Sequence, residues 1–261
     1  ADLIINVGHD VIEKPPFFMS NKEGATKVMH VNFFPSEVDD TYFPQMDVVG
    51  DIASNIAKIT EKIKVQAHWD FDYYTRMAEE IRTRLSKYFG DNRFPILPQR
   101  AVRAIRKTLA AEDIVTLDNG VYKLWFARNY RCAKPNTLLL DNALATMGAG
   151  LPSGMMAKMI NPNKKVVSVC GDGGFMMNSQ EMETAVRLGL DLTVIILNDN
   201  AYGMIKLKQT GMGFESFGLD LVNPDFVKYA ESYGAHGYRP KSVEEFEATL
   251  EKCVNSKGVH L

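Results

Sequence analysis

Short apolar runs bounded by turn residues alternate along this chain with stretches whose apolar residues recur every three or four positions. Val166-Val167-Ser168-Val169-Cys170 and Leu192-Thr193-Val194-Ile195-Ile196-Leu197 are rich in β-branched residues and read as buried parallel strands. Between them Met182, Ala185, Val186 and Gly189 fall at i, i+3, i+4, i+7, one face of a helix laid on the sheet. Asn178, followed three residues later by Glu181, predicts a capping box for that helix. Ile114 to Leu117 and Thr137 to Leu140 are further strand-like runs, and helices are predicted near 99–110, 121–128, 149–160, 178–188, 201–208, 224–234 and 242–254. Asn223 as cap and Pro224 at the first helical position open the helix near 224.

The first sixty-four residues repeat the alternation on a smaller scale, with strands at Leu3 to Val7, Lys27 to Asn32 and Asp47 to Gly50. Asp51 is a suitable N-cap for a following helix whose apolar stripe is Ile52, Ile56, Ile59 and Ile63. Residues 65–95, with Trp69, Phe71, Tyr73 and Tyr74 among charges, read as a helical connector. The predicted fold class is α/β, with two Rossmann-like, doubly wound parallel-sheet units, one in 1–64 and one in 96–261. Thr210 to Leu221 has three glycines, two phenylalanines and no period, and is expected to be a loop that orders over a site.

Composition narrows the class of partner more than the class of reaction. A net charge of −2 with interspersed signs gives no basic surface for nucleic acid or for a membrane. The apolar runs are too short to span a bilayer. Cys132, Cys170 and Cys253 fit neither a disulfide framework nor a zinc site, so a cytoplasmic, reducing setting is expected. The five histidines are scattered, without metal or triad spacing. The chain opens in a strand pattern without methionine and closes at Lys257 to Leu261 as a strand begins, so it is expected to be a fragment of a longer polypeptide.

The candidate chemistry lies in Gly171 to Tyr202. Asp172 and Asp199 stand just past the carboxyl ends of the two strands, the edge where open α/β sheets bind ligands. Gly171, Gly173 and Gly174 let backbone N–H groups face an anion there. Two carboxylates beside such a turn suit a hard divalent cation holding a diphosphate.

Gly171-Asp172-Gly173, twenty-four intervening residues and then Asn198 resembles the motif of thiamine-diphosphate enzymes. More narrowly, GDGGFMMNSQEMETAVRLGL and LNDNAYGMI resemble the large, catalytic chain of acetolactate synthases. The resemblance implies that Asp172, Asp199 and the carbonyl of Ala201 ligate Mg²⁺, with Tyr202, Gly203 and Met204 over the thiazolium. It implies that Met147 props the bent cofactor, that the carbonyl of Ala145 accepts from its aminopyrimidine, and that amides near Gly120, Val121 and Tyr122 meet the phosphates. Lys208 stands where biosynthetic relatives usually have tryptophan and catabolic ones glutamine, so the second substrate stays open.

The same resemblance makes residues 1–64 the latter half of a central domain that sometimes holds FAD, and leaves flavin binding undecided. It makes residues 96–261 the diphosphate and Mg²⁺ domain, cut short at its C-terminus. It implies a 2-oxo acid substrate, the joining of two pyruvates to 2-acetolactate with loss of CO₂, and at least a homodimer, with a regulatory subunit as a further partner. The activating glutamate belongs to an N-terminal domain outside this chain, so the fragment alone is expected to be inactive. Another thiamine-diphosphate lyase, decarboxylase or acetyltransferase remains an alternative. So does an NAD-dependent oxidoreductase, on Gly148-Ala149-Gly150 opening a helix with Asp172 twenty-two residues beyond, and so does a non-catalytic module.

Overall fold

The computed structural model describes residues 2–9, 26–38, 42–142 and 144–261. The chain divides after Phe71 into two compact units. In the first, β1 (Leu3–Val7), β2 (Lys27–Asn32) and β3 (Met46–Val49) form a parallel sheet in that order, followed by α1 (Ile52–Lys62). Asp51 caps α1 as its position predicts, an Oδ1 atom accepting from the Ser54 N–H at 2.8 Å. Val28 and Tyr42 make a small core on which Ile4 packs.

The second unit opens with α2 (Asp72–Ser86), so the helix of the expected connector belongs here, against α4 (Tyr122–Asn129). Then come α3 (Pro98–Thr108), β4 (Ile114–Leu117), β5 (Leu138–Leu139), α5 (Gly150–Ile160) and β6 (Val166–Gly171). They are followed by α6 (Asp172–Met177), α7 (Glu181–Arg187), β7 (Leu192–Leu197), α8 (Gly203–Gly211), α9 (Phe226–Ser232), α10 (Val243–Val254) and β8 (Val259–His260). The five strands are all parallel, in the order β5-β4-β6-β7-β8.

Alternation along each strand sends successive side chains to opposite faces, and both faces are covered. On one, Ile114, Val166, Cys170 and Val194 meet Leu151 and Met155 of α5, Phe175 of α6 and Met182 of α7. On the other, Val115, Leu117, Val167 and Val169 meet Val102 and Ile105 of α3, Phe126 of α4 and Leu250 of α10. Each such aliphatic side chain taken from water contributes roughly 1.5–3 kcal/mol, enough collectively to hold the strand ends rigid. That is the doubly wound arrangement expected. From β4 the chain first goes outward to β5, then crosses to β6 on the other side. The topological switch point therefore opens between the carboxyl ends of β4 and β6, where such sheets bind ligands.

Three local expectations need correction. Asn178 does not open the helix after the Gly-rich turn, because that turn is itself helical and forms α6. Asn178 closes α6, its side-chain amide donating to the Gly148 carbonyl at 2.8 Å, and α7 starts at Glu181 without a side-chain cap. Met182 and Ala185 lie on the buried face of α7, but Gly189 is exposed at φ 62°, past the helix end, where a left-handed residue stops the chain. The cap of α9 is Asp225, accepting from the Val227 N–H at 3.1 Å, not Asn223, whose side chain is engaged elsewhere.

Candidate functional site

A cleft of about 760 Å³ opens at the carboxyl edge of the second sheet. Its walls come from the turn after β4, the start of α6, the loop after β7 and the segment leading into α9. Gly120, Val121, Tyr122 and Met147 line it on one side. Gly171, Asp172, Gly173 and Gly174 line its floor, and Asp199, Ala201, Tyr202, Gly203 and Met204 its far side. Ala145 is exposed and lies outside this wall, and Lys208 is exposed on α8 away from it.

The two acids meet. Asp172 is 1% exposed in the first turn of α6, where the unpaired N–H groups of a helix start favour a negative charge. Asp199 follows β7, and its pKa is raised, first by burial and then by the Asp172 carboxylate lying against it. Like charges so placed repel, and a cation between them removes the repulsion. Asn200 sits at φ 56°, a left-handed turn that folds the loop back so that Ala201 pairs with Asp220. The Tyr202 N–H donates to the Leu219 carbonyl at 3.1 Å and the Leu221 N–H to the Asn200 carbonyl at 2.8 Å. Those bonds tie the end of the expected mobile loop to the site.

Glycines are required here by space. A Cβ at Gly173 would stand 2.7 Å from the Tyr202 ring, at Gly174 2.8 Å from an Asp118 oxygen, and at Gly203 2.8 Å from Oδ2 of Asp199. The Tyr122 ring lies beneath the turn, with a Cβ at Gly171 3.1 Å from its Cε1. Tyr122 is 5% exposed, and burial leads in pushing its phenol up. Its buried ring thus forms the floor of the turn, a role its place in a loop motif did not reveal. Cys170 is fully buried at the end of β6, burial pushing its thiol up to about 12, which leaves it an inert packing residue.

Two residues hold places at the site that the sequence did not assign to them. Asp118, 1% exposed, accepts from the N–H groups of Asn119 at 2.6 Å and Gly148 at 2.8 and 3.1 Å. Those of Ala149 and Gly150 also act on it. It thereby fills the anion position at the start of α5 with the protein's own carboxylate. A dinucleotide pyrophosphate has no room at Gly148-Ala149-Gly150, and β5 ends ten residues before α5 begins. The signal for Asp118 was its place directly after the buried run Ile114 to Leu117. The other is Asn223, whose amide reaches Asp172 across 51 positions of sequence, a separation that no local pattern encodes.

Paired carboxylates, a neighbouring carbonyl and glycine-lined backbone form an all-oxygen donor set suited to a small hard cation carrying a diphosphate. Residues 118–261 match the family described as "Thiamine pyrophosphate enzyme, C-terminal TPP binding domain". Over 99% of its length the chain is 32% identical to "Acetolactate synthase" of Bacillus subtilis (strain 168), covering 45% of that protein. Over 99% it is 33% identical to "Acetolactate synthase, catabolic" of Raoultella terrigena, covering 46% of that relative. It is also 29% identical to "Acetolactate synthase catalytic subunit, mitochondrial" of Saccharomyces cerevisiae, of which it covers 39%. The chain thus spans less than half the length of these curated relatives. With a doubly wound sheet, a cleft at its switch point and the family match over that same unit, the chain belongs to the thiamine pyrophosphate enzymes.

Proposed function

We propose that the cleft holds thiamine diphosphate through one Mg²⁺, ligated by a carboxylate oxygen from each of Asp172 and Asp199 and by the carbonyl of Ala201. The chain then supplies the diphosphate half of the active site of an acetolactate synthase-like carboligase. That enzyme joins two pyruvates to 2-acetolactate, releasing CO₂ and taking up one proton. The observation that carries this reading is that Asp172 and Asp199, set past the ends of the paired strands β6 and β7, line one cleft with the Gly171 to Gly174 turn.

The cofactor, when bound, supplies the carbon nucleophile and the electron sink for decarboxylation. The chain's residues place it and exclude water. The turn at Gly120, Val121 and Tyr122, with Gly171, Gly173 and Gly174, gives backbone close approach to the phosphates. Met147 on the cleft wall would support the cofactor's rings, the carbonyl of Ala145 two residues earlier would accept from the aminopyrimidine, and Met204 and Tyr202, also lining the cleft, would close over the thiazolium side. Fixing the two rings against one another replaces a bimolecular encounter. On this reading residues 1–64 are the latter half of a central domain, 65–95 a connector and 96–261 the cofactor domain. The enzyme is cytoplasmic and at least dimeric, with a regulatory subunit as a further partner. The 261 residues alone turn over nothing, because the activating glutamate lies in another segment.

Trp125 lines the cleft, so its fluorescence follows loading. Titration with thiamine diphosphate is expected to quench it saturably only with Mg²⁺ present, and NAD⁺ to leave it unchanged. The protein carrying the missing segment is expected to consume pyruvate and form acetolactate. Saturation by NAD⁺, or cofactor binding indifferent to Mg²⁺, would overturn the proposal.

A further inference from the structure

The side-chain amide of Asn223, from the segment that enters α9, donates to Oδ2 of Asp172 at 2.6 Å. It also lies 2.9 Å from Oδ1 of Asn198 and 3.0 Å from Oδ1 of Asn200. One nitrogen thus stands among three oxygens from the ends of both strands that bound the cleft, the side chain itself being half-buried. Asn198 and Asn200 flank Asp199 in sequence, so their amide oxygens and the two carboxylates form one cluster.

An amide N–H held against one carboxylate oxygen has a definite consequence for metal binding. It fixes the rotamer of Asp172 and takes one lone pair of Oδ2, disfavouring chelation of a cation by both oxygens. Mg²⁺ accepts one oxygen from each carboxylate in a tight octahedron, whereas the larger Ca²⁺ readily takes both oxygens and a higher coordination number. Outer partners of this kind orient ligands and tune affinity. We infer that Asn223 is a positioning residue that holds Asp172 as a one-oxygen ligand and so makes the site select Mg²⁺ over Ca²⁺. This rests on the reading of the cleft as the diphosphate and metal site.

The test is metal binding rather than turnover. Purified protein with saturating thiamine diphosphate is titrated with Mg²⁺ and, separately, Ca²⁺, following Trp125 fluorescence and heat, for the parent and for Asn223→Ala. Melting without metal confirms that the variant is folded, and Asn223→Ser, which returns one O–H donor, is measured beside it. Expected is a 10–100-fold loss of Mg²⁺ affinity in Asn223→Ala, a smaller loss for Ca²⁺, and partial recovery of the Mg²⁺ to Ca²⁺ ratio in Asn223→Ser. Equal losses for both ions, or none, would overturn the role of Asn223 while leaving the metal site standing. A parent protein that binds neither ion with the cofactor would overturn the site itself and this inference with it.

Discussion

Asp118, directly after β4, reaches the N–H of Gly148, thirty residues on, with both carboxylate oxygens, at 2.8 and 3.1 Å. That pairing closes the start of α5 and places Met147, the residue before Gly148, on the wall of the cleft. Asp118→Asn keeps the shape but replaces one acceptor with a donor facing N–H groups. It is expected to cost about 1–3 kcal/mol, read as a lower denaturation midpoint. The pH dependence has a definite sign. Burial leads in raising this carboxyl above its ordinary value, so its ionised form lowers stability at neutral pH. The penalty fades as pH falls through the raised folded value toward the unfolded one. The asparagine variant should lack that acid-side gain, which melting across pH 4–7 would show.

Asp199 is likewise raised, by burial and by Asp172. A cation that needs both carboxylates ionised must displace the proton that Asp199 holds at low pH. Mg²⁺ affinity is therefore expected to fall as pH is lowered through the raised value, and binding near it to release a proton. Calorimetry in two buffers of different ionisation enthalpy measures that release. Equal heats would remove Asp199 from the ligand set. Asp199→Asn should flatten the dependence and weaken binding modestly, while Asp172→Ala should abolish metal-dependent binding of thiamine diphosphate.

Gly203 tests the space around the same acid. A methyl there stands 2.8 Å from Oδ2 of Asp199 and 3.2 Å from Cγ1 of Val121. Gly203→Ala lies in the first turn of α8 without a positive φ, so the helix tolerates it and the carboxylate must move. About a tenfold loss of Mg²⁺ affinity is expected, with the melting temperature nearly unchanged. Full affinity would show that Asp199 is not held where the metal needs it.

Away from the cleft, Arg100 of α3 pairs with Glu247 of α10 at 2.6 Å. The Arg100 guanidinium holds the Glu247 carboxyl below its ordinary value. A depressed folded value means that the stabilisation is present above the unfolded pKa and lost as pH falls through the folded one. With the Glu247 side chain 34% exposed and screened by solvent, the pair contributes about 1 kcal/mol. Glu247→Gln should lower stability by that amount at pH 7 and by progressively less as pH falls below the unfolded value, as chemical denaturation across that range would reveal.

Much of the second unit was legible because its signals are local. Val166 to Cys170 and Leu192 to Leu197 are β-branched runs that only a two-sided sheet buries, and both are strands. Asp51 stands at the one place where a side-chain oxygen meets free N–H groups, and it caps α1. Where competing local patterns were each plausible, packing chose. Asn178 has the sequence of a cap, but the Gly148 carbonyl beside it takes its amide and Asp172 to Met177 winds into helix instead. Asn223-Pro224 resembles a helix start, yet the pull of three oxygens from the cleft leaves Asp225 to cap α9.

The amino-acid order alone determined most of the strands and helices, though not α6, and that two acids follow consecutive strands of one sheet. Hydrophobic periodicity and strand–turn–helix spacing are properties of neighbouring residues, and a linear reading contains them. Tertiary structure alone decided that those acids line one cleft, that Asp118 fills the start of α5 and that Asn223 leans on Asp172. Each is a contact between distant positions, made only when a parallel sheet brings its carboxyl ends to one edge and burial strengthens every charge left there.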